Sequence, residues 1–196
     1  KRLTNSNSGV SCHYFIKKNG KIIKIVPDLY IAWHAGISSW KRDKFLNSNS
    51  IGIEISNPGH DHGYKNFSIS QIKSIISLSK KLKKKYKIKK ENILGHSDIA
   101  PLRKKDPGEK FPWQLLNKKN ISLWHNLNKK KCKNLRKKKL KDNKNFYKLL
   151  FKFGYKSSNN HKEKVKIYKS FQRRFRPQLI SSNVDQESYE ILKSLI

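Results

Sequence analysis

The sequence predicts an α/β protein: a mixed central β-sheet flanked by helices, followed by a small three-helix module at the C-terminal end. Three observations carry that prediction. An apolar run is split by Asn19-Gly20, a second run alternates cleanly over residues 50–56, and a long helical periodicity opens at Ser68. Paired strands, a half-buried strand and an amphipathic covering helix are the elements these patterns specify.

Residues 10–27, VSCHYFIKKNGKIIKIVP, read as two strands around Asn19-Gly20, the pair most favoured in a tight type I′ hairpin turn. Residues 28–40, DLYIAWHAGISSW, hold aromatic and small residues without a period and suit a loop passing over a cleft. SIGIEIS at 50–56 puts Ile51, Ile53 and Ile55 on one face and Gly52, Glu54 and Ser56 on the other, so Glu54 points away from the apolar face. Ser68 with Gln71 forms a capping box, and Ile72, Ile75, Ile76, Ser79, Leu82 and Tyr86 follow at helical spacing with lysines opposite. A short strand over 92–95 then delivers His96, giving the order strand, strand, strand, helix, strand and a mixed sheet with helical cover.

Between residues 117 and 169 the chain carries 19 Lys or Arg and two acids, a shift that marks a basic linker over 117–141. Beyond it, Phe146, Leu149, Leu150 and Phe153 recur at helical spacing and stop at Gly154. Val165, Tyr168, Phe171, Gln172 and Phe175 make a second helix, ended before Pro177. A third spans about 185–195, with Tyr189, Leu192 and Leu195 or Ile196 inward. The domains expected are therefore 1–116, the linker 117–141, and a helical module over 142–196 whose core is thin for independent stability.

Lys and Arg total 46 against 13 acids, a formal charge of +33, which implies affinity for polyanions with strong salt dependence. The Lys, Asn and Ile excess fits an AT-rich coding bias as well as a binding patch. No base-reading module accompanies the charge, and aromatics are not interleaved with the basic runs, so a specific nucleic-acid partner is not expected. Cys12 and Cys132, without CxxC, give neither a cysteine zinc site nor a disulfide scaffold. No apolar run approaches the ~20 residues of a membrane helix, and the N-terminus lacks the apolar core of a signal peptide.

The chemistry concentrates in residues 95–113, GHSDIAPLRKKDPGEKFPW. His96 and Asp106 are both good ligands for Zn²⁺, and Lys104 between them can place a positive charge beside the metal. Asp106 precedes Pro107, which holds its backbone extended, and Gly108 lets the chain turn away. The plainer alternative is a His–Asp hydrogen bond within a loop. Glu54 likewise reads either as a proton-transfer group or as an exposed strand residue, and Arg103 and Lys104 sit among many cations. His13 reads as packing within the hairpin region, and His60 and His62 as exposed loop histidines.

Taken together, SIGIEIS, WHAG and the 95–113 loop resemble the zinc-dependent N-acetylmuramoyl-L-alanine amidases of the amidase-2 family, in the subgroup with a C-terminal peptidoglycan-binding helical module. The resemblance runs from about residue 3 to 113, and again from 146 to 195, where FQRRFRP and VDQESYEIL look like the end of that module. It implies hydrolysis of the amide joining the lactyl group of N-acetylmuramic acid to L-alanine, in wall turnover or recycling. It also implies His96 and Asp106 as zinc ligands, Glu54 as the group that moves the proton, and Lys104 as the stabiliser of the oxyanion. Arg103 would grip a carboxylate of substrate, and His34 with Ala35 would line the substrate site.

The family pattern carries a third zinc histidine upstream of VSCHYFI, whereas no histidine precedes His13 and the chain has no methionine. An N-terminally truncated chain is therefore expected. A non-catalytic peptidoglycan-binding protein is the rival reading. A wall hydrolase joined to a wall-binding module implies the periplasm or cell envelope, with peptidoglycan or muropeptides as partner and an electrostatic attraction to anionic envelope surfaces. A cytoplasmic recycling enzyme is the alternative.

Overall fold

The computed structural model describes residues 9–136 and 138–196. The chain forms two compact units: one runs up to Ser39 and resumes over Asp43–Lys89, and the other joins Trp40–Arg42 to Lys90–Ile196.

The first unit is built on a three-stranded mixed sheet in the order β2-β1-β3, with β1 at Tyr14–Ile16, β2 at Ile22–Lys24 and β3 at Ile53–Ile55. β1 pairs antiparallel with β2, Ile16 opposite Ile22, and parallel with β3, Phe15 opposite Glu54. The hairpin is where the sequence puts it, but its turn is not type I′, which requires positive φ at both central residues. Gly20 has φ +86° and Asn19 does not share it. Gly20 N–H donates to the Lys17 carbonyl at 2.9 Å, and Lys17 N–H to that of Lys21 at 3.0 Å. This is the three-residue loop in which a β-turn is followed by a left-handed glycine. An added Cβ on Gly20 would also lie 2.8 Å from the Ser70 carbonyl oxygen, so the helix that follows closes over this turn.

A short helix α1 (Leu46–Asn49) leads into β3. The covering helix α2 (Ile69–Lys85) starts at the capping box the sequence announces: Ser68 Oγ accepts from Gln71 N–H, and Gln71 Oε1 accepts from Ser68 N–H. Ser68 and Ser74 hydroxyls donate to the Lys18 and Gly20 carbonyls, at 2.7 and 2.6 Å, and Gln71 Nε2 donates to Ser56 O. Ile75, Leu78 and Leu82 are its buried apolar stripe. At its far end Tyr86 and Lys85 donate to Asp28, which also accepts from Tyr14 and pairs with Lys24.

In the second unit the chain has no strand over 92–95. Residues 90–92 form a single 3₁₀ turn, and His96 opens the four-residue helix α3 (His96–Ile99). The reason is that the backbone groups a strand would pair are already spent. The Ile93 carbonyl accepts from Arg174 Nη2 at 2.8 Å, and the Gly95 N–H donates to Asp98 Oδ2 at 2.7 Å.

Helices α4 (Trp113–Lys118) and α5 (Lys129–Leu135) follow, the latter within the basic stretch and capped by Asn128. The last three helices are α6 (Asn143–Phe153), α7 (His161–Phe175) and α8 (Gln186–Lys193), opened by Asp142, Asn160 and Asp185 as N-caps. Phe146, Leu150, Phe153, Tyr155, Ile167, Phe171, Phe175 and Ile191 fill their core. Gly154 ends α6 at φ +142°, where a Cβ would strike the Trp40 ring at 2.8 Å. The fold class is thus the expected one, a small mixed sheet with helical cover and a three-helix C-terminal end.

Candidate functional site

The expected site residues divide between the two units. In the first, β3 places Gly52 and Glu54 on one face by simple alternation. That face is occupied by His34: an added Cβ on Gly52 would lie 2.2 Å from its Cγ, so only glycine permits the ring there. His34 is half-buried, its Nε2 3.4 Å from the Ser50 carbonyl. Ala35 is buried and donates its N–H to Asn47 Oδ1 at 2.8 Å, which ties the WHAG loop to α1.

His13 proves to be more than packing. It is fully buried, its Nδ1 accepts the Gly52 N–H at 3.0 Å, and its Nε2–H donates to the Tyr30 carbonyl at 3.0 Å. Both ring nitrogens are spent on backbone, so His13 braces the strand and the loop and has no lone pair left for a metal. Cys12 is buried beside Glu54. Burial, and then the Glu54 carboxylate, push its thiol up to about 11, so it stays protonated at neutral pH. Nothing in the sequence signalled its neighbourhood to Glu54, which follows from the parallel pairing of β1 with β3 just beyond Cys12.

In the second unit the loop after α3 brings His96, Arg103, Lys104 and Asp106 together. His96 Nδ1 lies 3.1 Å from Asp106 Oδ2, and Arg103 Nη2 is 3.4 Å from His96 Nε2. Because a guanidinium can only donate, Nε2 is the acceptor and Nδ1–H points at the carboxylate. Ser97 N–H donates to the Asp106 carbonyl at 2.8 Å, closing the loop onto the helix that carries His96. The Asp106–Pro107 peptide is cis, and Gly108 follows with φ +82°. Partial desolvation would raise the Asp106 carboxyl, but the His96 hydrogen bond, with Lys104 nearby, outweighs it and holds it below the usual carboxylate range. An ionised carboxylate and a neutral imidazole are the states in which both groups coordinate metal.

The pair fits a metal on geometry. Two donors on one tetrahedral Zn²⁺, each about 2.0–2.2 Å away, stand roughly 3.4 Å apart. The observed 3.1 Å is close to that. Among the described residues no group of three or more His, Cys, Asp or Glu could hold a metal ion. His60 stacks on Tyr64, with ring centroids 4.3 Å apart, and joins no such group.

Sequence reasoning missed the residue beneath this loop. Asp98 is wholly buried and accepts from Gly95 N–H, from Tyr155 OH at 2.5 Å and from Arg174 Nη1 at 2.5 Å. The one available signal was an acid at the third position of a helix whose cap, Gly95, has no side chain of its own to offer.

The architecture is that of solved muramoyl-peptide amidases. The amidase AmiD from E. coli, solved with anhydro-N-acetylmuramic acid-L-Ala-D-gamma-Glu-L-Lys, superposes with a TM-score of 0.85 at 34% identity, covering 98% of this chain and 80% of that one. AmpDh3 from Pseudomonas aeruginosa, in complex with anhydromuramic pentapeptide, gives 0.85 at 29% identity, with 98% and 83% covered. In sequence, E. coli K12 AmiD is 35% identical over 223 residues, 98% of this chain and 76% of its own length. The Haemophilus influenzae 1,6-anhydro-N-acetylmuramyl-L-alanine amidase AmpD is 39% identical over 106 residues, 54% of this chain and 55% of its own. Residues 1–109 match the Amidase_2 family, described as N-acetylmuramoyl-L-alanine amidase. The chain belongs to that family of amide hydrolases.

Proposed function

We propose that this protein hydrolyses the amide between the lactyl group of N-acetylmuramic acid and L-alanine, in peptidoglycan or in 1,6-anhydro muropeptides, with Zn²⁺ held by His96 and Asp106. The observation that carries the reading is the His96–Asp106 pair, two metal-competent donors 3.1 Å apart on a loop of a chain similar throughout to amidases solved with such peptides. When bound there, Zn²⁺ would lower the pKa of a coordinated water toward ~7 and polarise the scissile carbonyl.

The chain's own residues supply the rest. Glu54 takes the proton of the attacking water and returns it to the leaving amine. Lys104, half-buried and within electrostatic reach of Asp106, offsets the negative charge that develops on the carbonyl oxygen. Arg103 is exposed beside His96 and can grip a substrate carboxylate with its fork. His34 and Ala35 line the substrate side of β3, and the helices over 142–196 serve as a peptidoglycan-binding module. The wall-binding pairing and the +33 charge support the cell envelope as the working location. No helix among the described residues is long and apolar enough to cross a membrane.

The two-donor set favours a second reading, a peptidoglycan-binding protein without catalysis. Incubation with a defined anhydromuramoyl-tripeptide, with and without chelator, followed by mass spectrometry, separates the two. Chelator-sensitive release of free tripeptide is expected of the enzyme. Binding of the muropeptide without release, and no zinc retained after dialysis, would leave the binding protein.

A further inference from the structure

We infer that Arg174, on α7, and Tyr155, just past the end of α6, are positioning residues for His96, acting through the buried carboxylate of Asp98. The inference rests on the proposed metal site for its functional meaning, but on the second unit's own geometry for its substance.

α3 is one turn long, too short to hold its shape by its own hydrogen bonds, and His96 is its first residue. What fixes it is Asp98, two residues on. Asp98 Oδ2 accepts the Gly95 N–H at 2.7 Å and Arg174 Nη1 at 2.5 Å, while Oδ1 accepts the Tyr155 hydroxyl at 2.5 Å. Arg174 Nη2 donates to the Ile93 carbonyl at 2.8 Å. One guanidinium therefore holds the chain on both sides of Gly95. Its carbon lies 4.3 Å from the Trp113 ring centroid. An added Cβ on Gly95 would come within 3.2 Å of that ring and 2.7 Å of Pro107. Through Ser97 N–H and the Asp106 carbonyl the same cluster reaches the second donor.

Every member is removed from water: Asp98 is 0% exposed, Arg174 3% and Tyr155 1%. A buried ion pair gains little net stability over well-packed apolar groups, so what this one contributes is direction rather than stability. Here the task is geometric, because hydrogen bonds fix angles where apolar contacts would let a one-turn helix roll. The partners lie 57 and 76 residues from Asp98 in sequence, both within the segment read as a wall-binding module. Those helices then have a second role, holding the aim of a metal ligand.

The test uses the full chain carrying Tyr155→Phe, which removes one hydroxyl and keeps the ring, and Arg174→Lys, which keeps the charge and loses the fork. Arg174→Ala strands a buried carboxylate and can fail to fold, so the first two variants decide. Three quantities are read: amide exchange over 93–99 against α6–α8, Zn²⁺ affinity by competition with a chromophoric chelator, and kcat and KM separately on an anhydromuramoyl-tripeptide. Expected are faster exchange confined to 93–99, Zn²⁺ held at least ~10-fold more weakly, and a lower kcat with KM within about twofold. Wild-type zinc affinity with wild-type exchange at 93–99 overturns the inference. So does protection lost evenly through α6–α8, the mark of a plain structural brace. If the unmutated chain takes up no Zn²⁺, the metal reading fails by itself, and the confinement of the exchange change then decides this one.

Discussion

Glu54 gains its position from three neighbours: Phe15 opposite it in the parallel pair, Gly52 two residues before it, and the His34 ring that the missing Gly52 side chain admits. A carboxylate in this setting is fixed by backbone pairing, so exchanging its oxygen for an amide changes its proton chemistry and little else. Glu54→Gln is therefore expected to lower kcat by about 10²–10⁴-fold, the usual contribution of a positioned acid–base group. Zinc content and KM should stay near wild type. Steady-state kinetics with parallel metal analysis checks this, and a variant that keeps most of its turnover would remove Glu54 from the proposed mechanism. His13 shows the reverse lesson at the same scale. An imidazole is the side chain most readily taken for a metal ligand, yet two backbone partners use up both nitrogens of His13.

Among the elements, β1, β2 and the end of α2 are fastened at one point, Asp28. Its side chain is 5% exposed and accepts from Tyr14, Lys24, Tyr86 and Lys85. Burial alone would raise its pKa, but those four donors together drive it well below the ordinary carboxylate range. A carboxyl more acidic folded than unfolded binds fewer protons in the native state. Its stabilisation is then full above the unfolded value of about 3.9 and is lost as pH falls below that toward the folded value. Asp28→Asn should reduce unfolding free energy at pH 7 by roughly 1–2 kcal/mol. It should also flatten the acid limb, so that the gap between variant and wild type narrows steadily as pH falls below about 4 in urea titrations. Parallel curves across that window would show that the charge of Asp28 does not matter.

The same elements show what a sequence can reveal. The hairpin, the Ser68–Gln71 box, the helix end at Gly154 and the stripes of α6 and α7 were legible because each is set by residues within a turn or two of one another. The loop carrying His96, Arg103, Lys104 and Asp106 was legible for the same reason. The strand drawn at 92–95 was not, since Ile93 and Gly95 find their partners in Arg174 and Asp98, and a four-residue apolar run cannot say whether its backbone will pair with a strand or with a side chain. The hairpin turn failed more narrowly: Asn-Gly permits the two-residue turn without requiring it, and the chain instead uses Lys18, Asn19 and Gly20 as a three-residue loop.

Across the whole molecule the governing quantity is charge. Forty-six cationic side chains against thirteen acids leave +33, and the ion pairs inside the fold use the acids for structure: Asp28 in the first unit, Asp98, Asp185 and Glu187 in the second. Arg136 takes Glu187 with two 2.7 Å hydrogen bonds, and buried Arg176 takes Asp185 at 3.0 Å. Few acids are left to neutralise a surface of lysines, so the protein's long-range field is positive whatever its substrate. Attraction to an anionic wall polymer should then separate from catalysis by ionic strength, because surface charge is screened over about 10 Å at 0.1 M and about 3 Å at 1 M, whereas a close catalytic pair is screened much less. Raising salt from about 0.05 to 0.5 M is expected to release most of the protein from sacculi in a pelleting assay, while turnover of a small soluble muropeptide changes less than about threefold. Retention on sacculi at high salt would mean that the C-terminal helices hold the wall through uncharged contacts, and that the lysines reflect composition alone.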